Sequence, residues 1–248
     1  MTEYLILAAA AFLAGMLNTV AGGGTFLTFP ALVYTGVPPV AANATSAVAV
    51  FPGYLGGALG FRQEIAAFDR KRLLKIVGVT AIGGLIGSVL LLVSSNEAFS
   101  VVVPFLLALA TIVFALGSRI QTWAARHSLG NSDGPWSTLI VSIYGGYFNG
   151  GLGIVLLALF SLWGMRDINL MNGLKTGLSF VLSAISVATF AVAGIVEWRQ
   201  AIVMMIAATV GGYAGAPVAR ALPAKVVKFI VVLVGATMSI AFFWRAFA

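Results

Sequence analysis

Apolar residues run in long stretches along most of the chain, and most charged residues fall in the short gaps between them. A helix needs roughly 20 apolar residues to cross the hydrocarbon of a bilayer, about 30 Å thick. Six stretches meet that length: residues 41–61, 73–93, 99–117, 170–193, 201–218 and 226–243. Two more are apolar but interrupted, residues 4–36 by Ala21-Gly22-Gly23-Gly24 and residues 137–165 by Asn149-Gly150-Gly151-Leu152-Gly153. As a helix, the arm from Thr25 to Gly36 would be only about 18 Å long, too short to cross. Each interrupted stretch is therefore predicted to form a hairpin of two short helices that turns inside the membrane. The expected fold is all-α, a polytopic membrane protein.

Basic residues orient such a chain, because short cytoplasmic loops retain Lys and Arg. If the gap holding Arg62, Arg70, Lys71, Arg72 and Lys75 is cytoplasmic, alternation places Arg119, Arg126, Arg166, Arg220, Lys225 and Lys228 on the same side, with Lys175 just inside that face. All but two of the 14 Lys and Arg residues, Arg199 and Arg245, then sort inward. This sorting requires each hairpin to begin and end on one face, the first outside and the second inside. Both termini are then expected outside.

The halves are related at a nearly constant offset of roughly 130 residues. Leu17-Asn18 with Gly22 matches Phe148-Asn149 with Gly153. Asn43-Ala44-Thr45-Ser46 matches Asn172-Gly173-Leu174-Lys175, and Gly83-Gly84-Leu85-Ile86-Gly87 matches Gly211-Gly212-Tyr213-Ala214-Gly215. Each half holds one hairpin and three crossings, an odd number, so the second half is expected upside down relative to the first. The expected organisation is a first repeat over 1–118, a cytoplasmic linker over 119–135 and a second repeat over 136–248. Inverted repeats of this kind hold substrate near the midplane, at discontinuous helices.

Composition sharpens the class. Of 248 residues, 60% are hydrophobic and 8% charged, with a mean hydropathy of +1.06, so lipid is the expected solvent for most of the surface. The formal charge of +7 is scattered between apolar runs rather than gathered on one face, which argues against nucleic acid as a partner. The first apolar stretch has no cleavage pattern and is expected to be kept. The absence of cysteine excludes disulfides and thiolate metal sites. No cofactor motif or metal-ligand cluster is read. The oligomeric state is left open, a homodimer included.

Candidate chemistry lies at the two breaks. A helix that starts inside the membrane presents amides without helical partners, together with the positive end of the helix dipole. Two such starts, at Thr25 and Ile154, would favour a small anion, and Gly22, Gly23, Gly24, Gly150, Gly151 and Gly153 would let it approach the backbone. Lys175 is the one cation placed beyond the first turn of an apolar segment. It serves either as the anion's counter-charge, helped by Asn172 one turn earlier, or snorkels to the headgroups. Asn18 and Asn149 either contact substrate or cap the exposed amides. Asn43 starts the matching helix of the first half, and Thr45 and Ser46 either donate to substrate or bond back to their own helix. Gly83, Gly87, Gly211 and Gly215 are expected to be packing faces. His127 lies in the polar stretch between the halves and is expected to be solvated. The spans contain no Asp, Glu or His, the usual proton relay, and no clustered catalytic group of an enzyme is read.

Gly15-Met16-Leu17-Asn18-Thr19-Val20-Ala21-Gly22-Gly23-Gly24 near the start, and Met171-Asn172-Gly173-Leu174-Lys175 after the second break, resemble the sulfite exporter (TauE/SafE) family of bacterial membrane proteins. The resemblance runs over essentially the whole chain. It implies transport of small sulfur-containing anions, such as sulfite, sulfoacetate or other organosulfonates, across a bacterial inner membrane. One position departs from the pattern: Ser46 stands opposite Lys175 in the repeat, where a second base would be expected. A secondary transporter is the expected function, with a passive anion channel as the alternative that the same helix starts would serve.

Overall fold

The computed structural model describes the backbone of residues 1–20, 23–127, 134–221 and 224–247. Side chains are described for 1–18, 23–127, 134–213, 226, 229 and 232–244. Gly22 therefore lies outside the described residues, as do the side chains of Ala214, Gly215, Arg220, Lys225, Lys228 and Arg245. The described residues form eleven helices and no strand: α1 (Thr2–Val20), α2 (Thr25–Tyr34), α3 (Pro39–Gly60), α4 (Arg62–Ala67), α5 (Arg70–Val93), α6 (Asn96–Arg126), α7 (Pro135–Tyr147), α8 (Leu152–Leu162), α9 (Ile168–Val192), α10 (Trp198–Ala221) and α11 (Ala224–Phe247).

The boundaries follow from local chemistry. Asp69 caps α5 by accepting from the amide of Arg72 at 2.7 Å, and Ser95 caps α6 by accepting from Ala98 at 3.1 Å. Asp167 accepts from both Asn169 and Leu170 at the start of α9. The short helices α2 and α8 stop in the same way. Gly36 and Gly164 take left-handed φ values of 89° and 79°, and the next residue's amide returns to the carbonyl of Leu32 or Phe160.

Apolar side chains fill the core and also cover the surface, as lipid requires. Leu85, Val89, Leu90, Phe105, Leu109 and Ile112 are exposed along α5 and α6, while Thr28, Thr45, Ser46, Ser88 and Ser183 are wholly buried. Among the described residues, α5, α6 and α9 are long and apolar enough to cross a membrane. The expected span 41–61 falls on α3, a helix of small and hydroxyl-bearing residues buried through most of its first half. The spans 201–218 and 226–243 fall within α10 and α11, each 24 residues long.

Both interrupted stretches are helix, break, helix, but three boundaries differ from expectation. The first arm, α1, has 19 residues and is not short; at roughly 1.5 Å per residue it is about 28 Å long. The helix after the second break starts at Leu152, because Gly151 turns the chain one residue earlier and accepts from the amide of Ile154. Residues 119–126, assigned to the linker from their polarity, continue α6: no Pro or Gly breaks the run, and Arg126 sits favourably at the negative helix end. His127 follows, exposed and stacked on Trp123 at 4.7 Å. The short α4, also unforeseen, lays Phe61 and Ile65 against Gly173 and Gly177 of α9.

At the centre α3 and α9 cross antiparallel. Phe51 stacks on Phe180 with ring centroids 5.2 Å apart, while Gly57 meets Thr176 and Gly173 meets Phe61. Around this pair α1 packs on α10, α7 on α5, α10 on α3, α5 on α9, and α11 on α6. Glycines set the closest approaches. Gly15 lies against the backbone of Ala208 and Gly212, Gly146 against Gly84, Gly83 against Leu139 and Ser142, Gly87 against Ile143, and Gly211 against Phe12. In each case an added Cβ would strike a neighbouring helix, the small-residue packing that substitutes for hydrophobic attraction in lipid.

Candidate functional site

The two breaks are built differently in detail. At the first, Asn18 Oδ1 accepts from the amide of Gly24 at 2.8 Å, so the last turn of α1 caps the start of α2. Gly23 and Gly24 supply the carbonyls that receive the amides of Phe26, Leu27 and Thr28. The Thr28 hydroxyl lies 2.6 Å from that of Ser46 on α3, a contact between two wholly buried side chains. At the second break Gly151 adopts φ 72°, a left-handed conformation that only glycine takes without strain, and the Tyr144 hydroxyl donates to the carbonyl of Gly150. Lys175 runs beside this break. A Cβ added to Gly153, in the first turn of α8, would sit 3.3 Å from Lys175 Cδ, and the ammonium donates to Asn172 Oδ1 at 3.0 Å.

The Phe51–Phe180 stack separates two groups of polar side chains. Asn172 and Lys175 precede Phe180 on α9 by the same number of residues as Asn43 and Ser46 precede Phe51 on α3. Because the helices are antiparallel, the two groups lie at opposite ends of the crossing. At the α3 end, Asn43 Nδ2 donates to the carbonyl of Tyr147 at 2.8 Å, and Asn149 Nδ2 donates to Ser183 Oγ at 3.4 Å. Thr25, Asn43 and Asn149 border one cavity of about 10 Å³ there, with Ser186 beside them. At the other end Lys175, Asn172 and Gly153 come together.

The remaining candidates are engaged elsewhere. Thr45 Oγ1 accepts from the amide of Glu197 at 3.0 Å, in the turn between α9 and α10, rather than bonding back to its own helix. Gly150 has its carbonyl taken by Tyr144, and Asn18 is a cap. Sequence reasoning missed Tyr144, Ser183 and Ser186. The two serines had a signal: with Ser179 they recur every three or four residues on α9, a polar stripe on one face of an apolar helix. Tyr144 had none, since its role depends on where the break folds back. Among the described residues no three His, Cys, Asp or Glu side chains gather as they would around a transition metal.

Comparisons with known proteins identify the family. The sulfite exporter TauE/SafE family matches the chain over residues 7–242. A probable membrane transporter protein, ORF9, of Sinorhizobium sp is 26% identical over 234 residues, which span 93% of this chain and 88% of that protein. A probable membrane transporter protein of Haemophilus influenzae is 25% identical over 236 residues, spanning 94% and 92%. The probable membrane transporter protein YfcA of Escherichia coli K12 is 26% identical over 236 residues, spanning 92% and 85%. No solved structure matches the chain. With the family match running over nearly its full length, the chain, a multi-pass membrane transporter, belongs to the sulfite exporter TauE/SafE family.

Proposed function

We propose that this protein is a secondary transporter of a small anion, sulfite or an organosulfonate such as sulfoacetate, and that it works in a bacterial inner membrane by alternating access. One observation carries the reading. Lys175, well inside a membrane helix, lies along the first turn of α8 with its ammonium held by Asn172, so a full positive charge stands at the positive end of a half-helix. An anion entering there would meet the ammonium and the amides of α8 together. The corresponding place in the other half, beside Ser46, Thr28 and the start of α2, offers hydroxyls and a helix start without a base.

The halves, 1–118 and 136–248, are proposed to be inverted copies that rock about the Phe51–Phe180 stack. Exchange of the halves supports this. The α1–α10 packing has its counterpart in α7–α5, and α10–α3 in α5–α9. Gly15 against Gly212 has its counterpart in Gly146 against Gly84. The aromatic stack then forms the barrier between an outward group around Asn43 and an inward group around Lys175, and rocking would expose each group in turn.

Counterflow in proteoliposomes tests this function. Vesicles preloaded with unlabelled sulfite or sulfoacetate should transiently accumulate the labelled anion above its external concentration. Equilibration without overshoot would mark a passive anion channel instead. If no sulfur oxyanion moves while another anion class does, the substrate assignment is wrong.

A further inference from the structure

The cavity at the α3 end of the crossing, about 10 Å³, has room for a single water-sized particle. It is enclosed where the last turn of α7 meets α3, α9 and Thr25 at the start of α2, so a cation held by its oxygens would lie directly beside the helix start proposed to receive the anion. Asn149 is 9% exposed. Its Nδ2 donates to Ser183 Oγ and faces the Tyr54 hydroxyl, while its Oδ1 is buried with no hydrogen-bond partner among the described residues. A buried carbonyl oxygen without a donor keeps its full desolvation penalty unless something positive occupies the space beside it. Asn43 commits its Nδ2 to the Tyr147 carbonyl, an acceptor that fixes the orientation of this amide and leaves Oδ1 as its other polar atom. Ser186 Oγ accepts from Ser88 Oγ at 2.9 Å and retains a lone pair.

The backbone adds to the same polarity. Because α7 ends at Tyr147, the carbonyls of its last turn have no further helical amides and form the negative end of its dipole. Those of Tyr144 and Tyr147 are taken by the Phe148 amide and Asn43 Nδ2, and Gly145 and Gly146 border the cavity. Neutral oxygens around a space of one water, at the C-terminal end of a half-helix, suit a small hard cation. Among the described residues the lining holds no carboxylate, which disfavours a divalent ion, and its size disfavours potassium.

We propose that this cavity binds a sodium ion, and that the ion is coupled to the anion. The coupling, though not the ion site, rests on the transport reading above. A cation in this cavity and an anion at the half-helix starts attract each other, so each should tighten the binding of the other by the same factor. The ion would also supply the coupling that these spans, without a carboxylate or histidine, do not offer to a proton.

The test uses the full-length protein in nanodiscs, in sodium, potassium or choline chloride at equal ionic strength. Sodium is expected to raise the unfolding temperature in the absence of any sulfur anion, and to tighten sulfite or sulfoacetate binding by about tenfold. Asn149→Ala and Ser186→Ala are each expected to remove the sodium-specific shift. Lys175→Ala, which strikes the anion and not the cavity, is expected to keep the shift in unfolding temperature. Identical unfolding temperatures of the wild-type protein in the three salts would mean that the cavity holds only a water, and would overturn the proposal even if neither variant folds. A sodium shift that survives in both Asn149→Ala and Ser186→Ala would overturn it too. If sodium stabilises the protein through these residues but no sulfur anion binds, the transport reading fails and the ion site stands.

Discussion

A lysine two turns into an apolar helix satisfies its charge either by reaching back to the headgroups or by meeting a partner within the protein. The methylenes of Lys175 follow Gly153 toward the second break, and Asn172 holds the ammonium. We therefore expect Lys175→Ala to weaken anion binding by about 1.5 to 3 kcal/mol, roughly one to two decades in Kd, while the protein still folds. Equilibrium binding of sulfite and sulfoacetate measures this. Unchanged affinity in both Lys175→Ala and Lys175→Gln would return the residue to a headgroup role. Lys175 stands out in the sequence because a cation inside an apolar run is costly enough to need a reason. Asn18 was half legible: residue type and position announced a cap or a ligand, and only the fold-back of α2 selected the cap. Thr45 has a partner that the sequence does not announce, because the Glu197 amide is remote along the chain and arrives only with the packing of α9 and α10 on α3.

Among the helices, glycines divide into those that touch a neighbouring backbone and those that face open space. A Cβ on Gly146 would collide with Gly84, whereas one on Gly56 meets nothing within 4 Å. Gly146→Ala is expected to destabilise the protein by about 1 to 3 kcal/mol through overpacking between α7 and α5. Gly56→Ala is expected to be neutral or to stabilise by about 0.5 to 1 kcal/mol, since alanine suits a helix interior better than glycine. Thermal unfolding in detergent compares the two, and equal effects would remove close helix contact as the reason for Gly146. The regular glycine spacing in α5 and α10 made these faces readable in advance. Helix ends are less so: the polarity of residues 119–126 suggests a loop, yet a polar sequence without a breaker continues a helix as readily as an apolar one.

For the molecule in its membrane, the sorting of basic residues expects both termini outside. The chain has no cysteine, so Thr2→Cys creates a unique reporter. In right-side-out vesicles it should react with an impermeant maleimide, and labelling from the cytoplasmic side alone would invert the topology. The scarcity of ionisable groups makes a second expectation. With no Asp, Glu or His in the expected spans, any pH dependence of sulfite transport should follow the ionisation of sulfite itself and nearly vanish for a strong-acid sulfonate. Sulfonate uptake into liposomes from mildly acidic to mildly alkaline buffer, without a membrane potential, tests this. A steep pH dependence lost in Asp167→Asn would place a proton path in the protein.

Solvent and segment order were decided along the chain itself. Apolar runs of spanning length, the two glycine breaks and the basic gaps are one-dimensional features, and lipid acts on them locally: a backbone group in hydrocarbon must bond within its own helix or be sheltered where the helix breaks. What those breaks face was decided only in three dimensions. The pairing of Phe51 with Phe180, the approach of Tyr147 to Asn43 and the cavity that leaves Asn149 Oδ1 without a donor among the described residues all join residues far apart in sequence. In a membrane such contacts are selected by shape, by glycines that let helices meet and hydroxyls that find one another; their spacing along the chain marks the face of a helix that packs, but not the helix it meets.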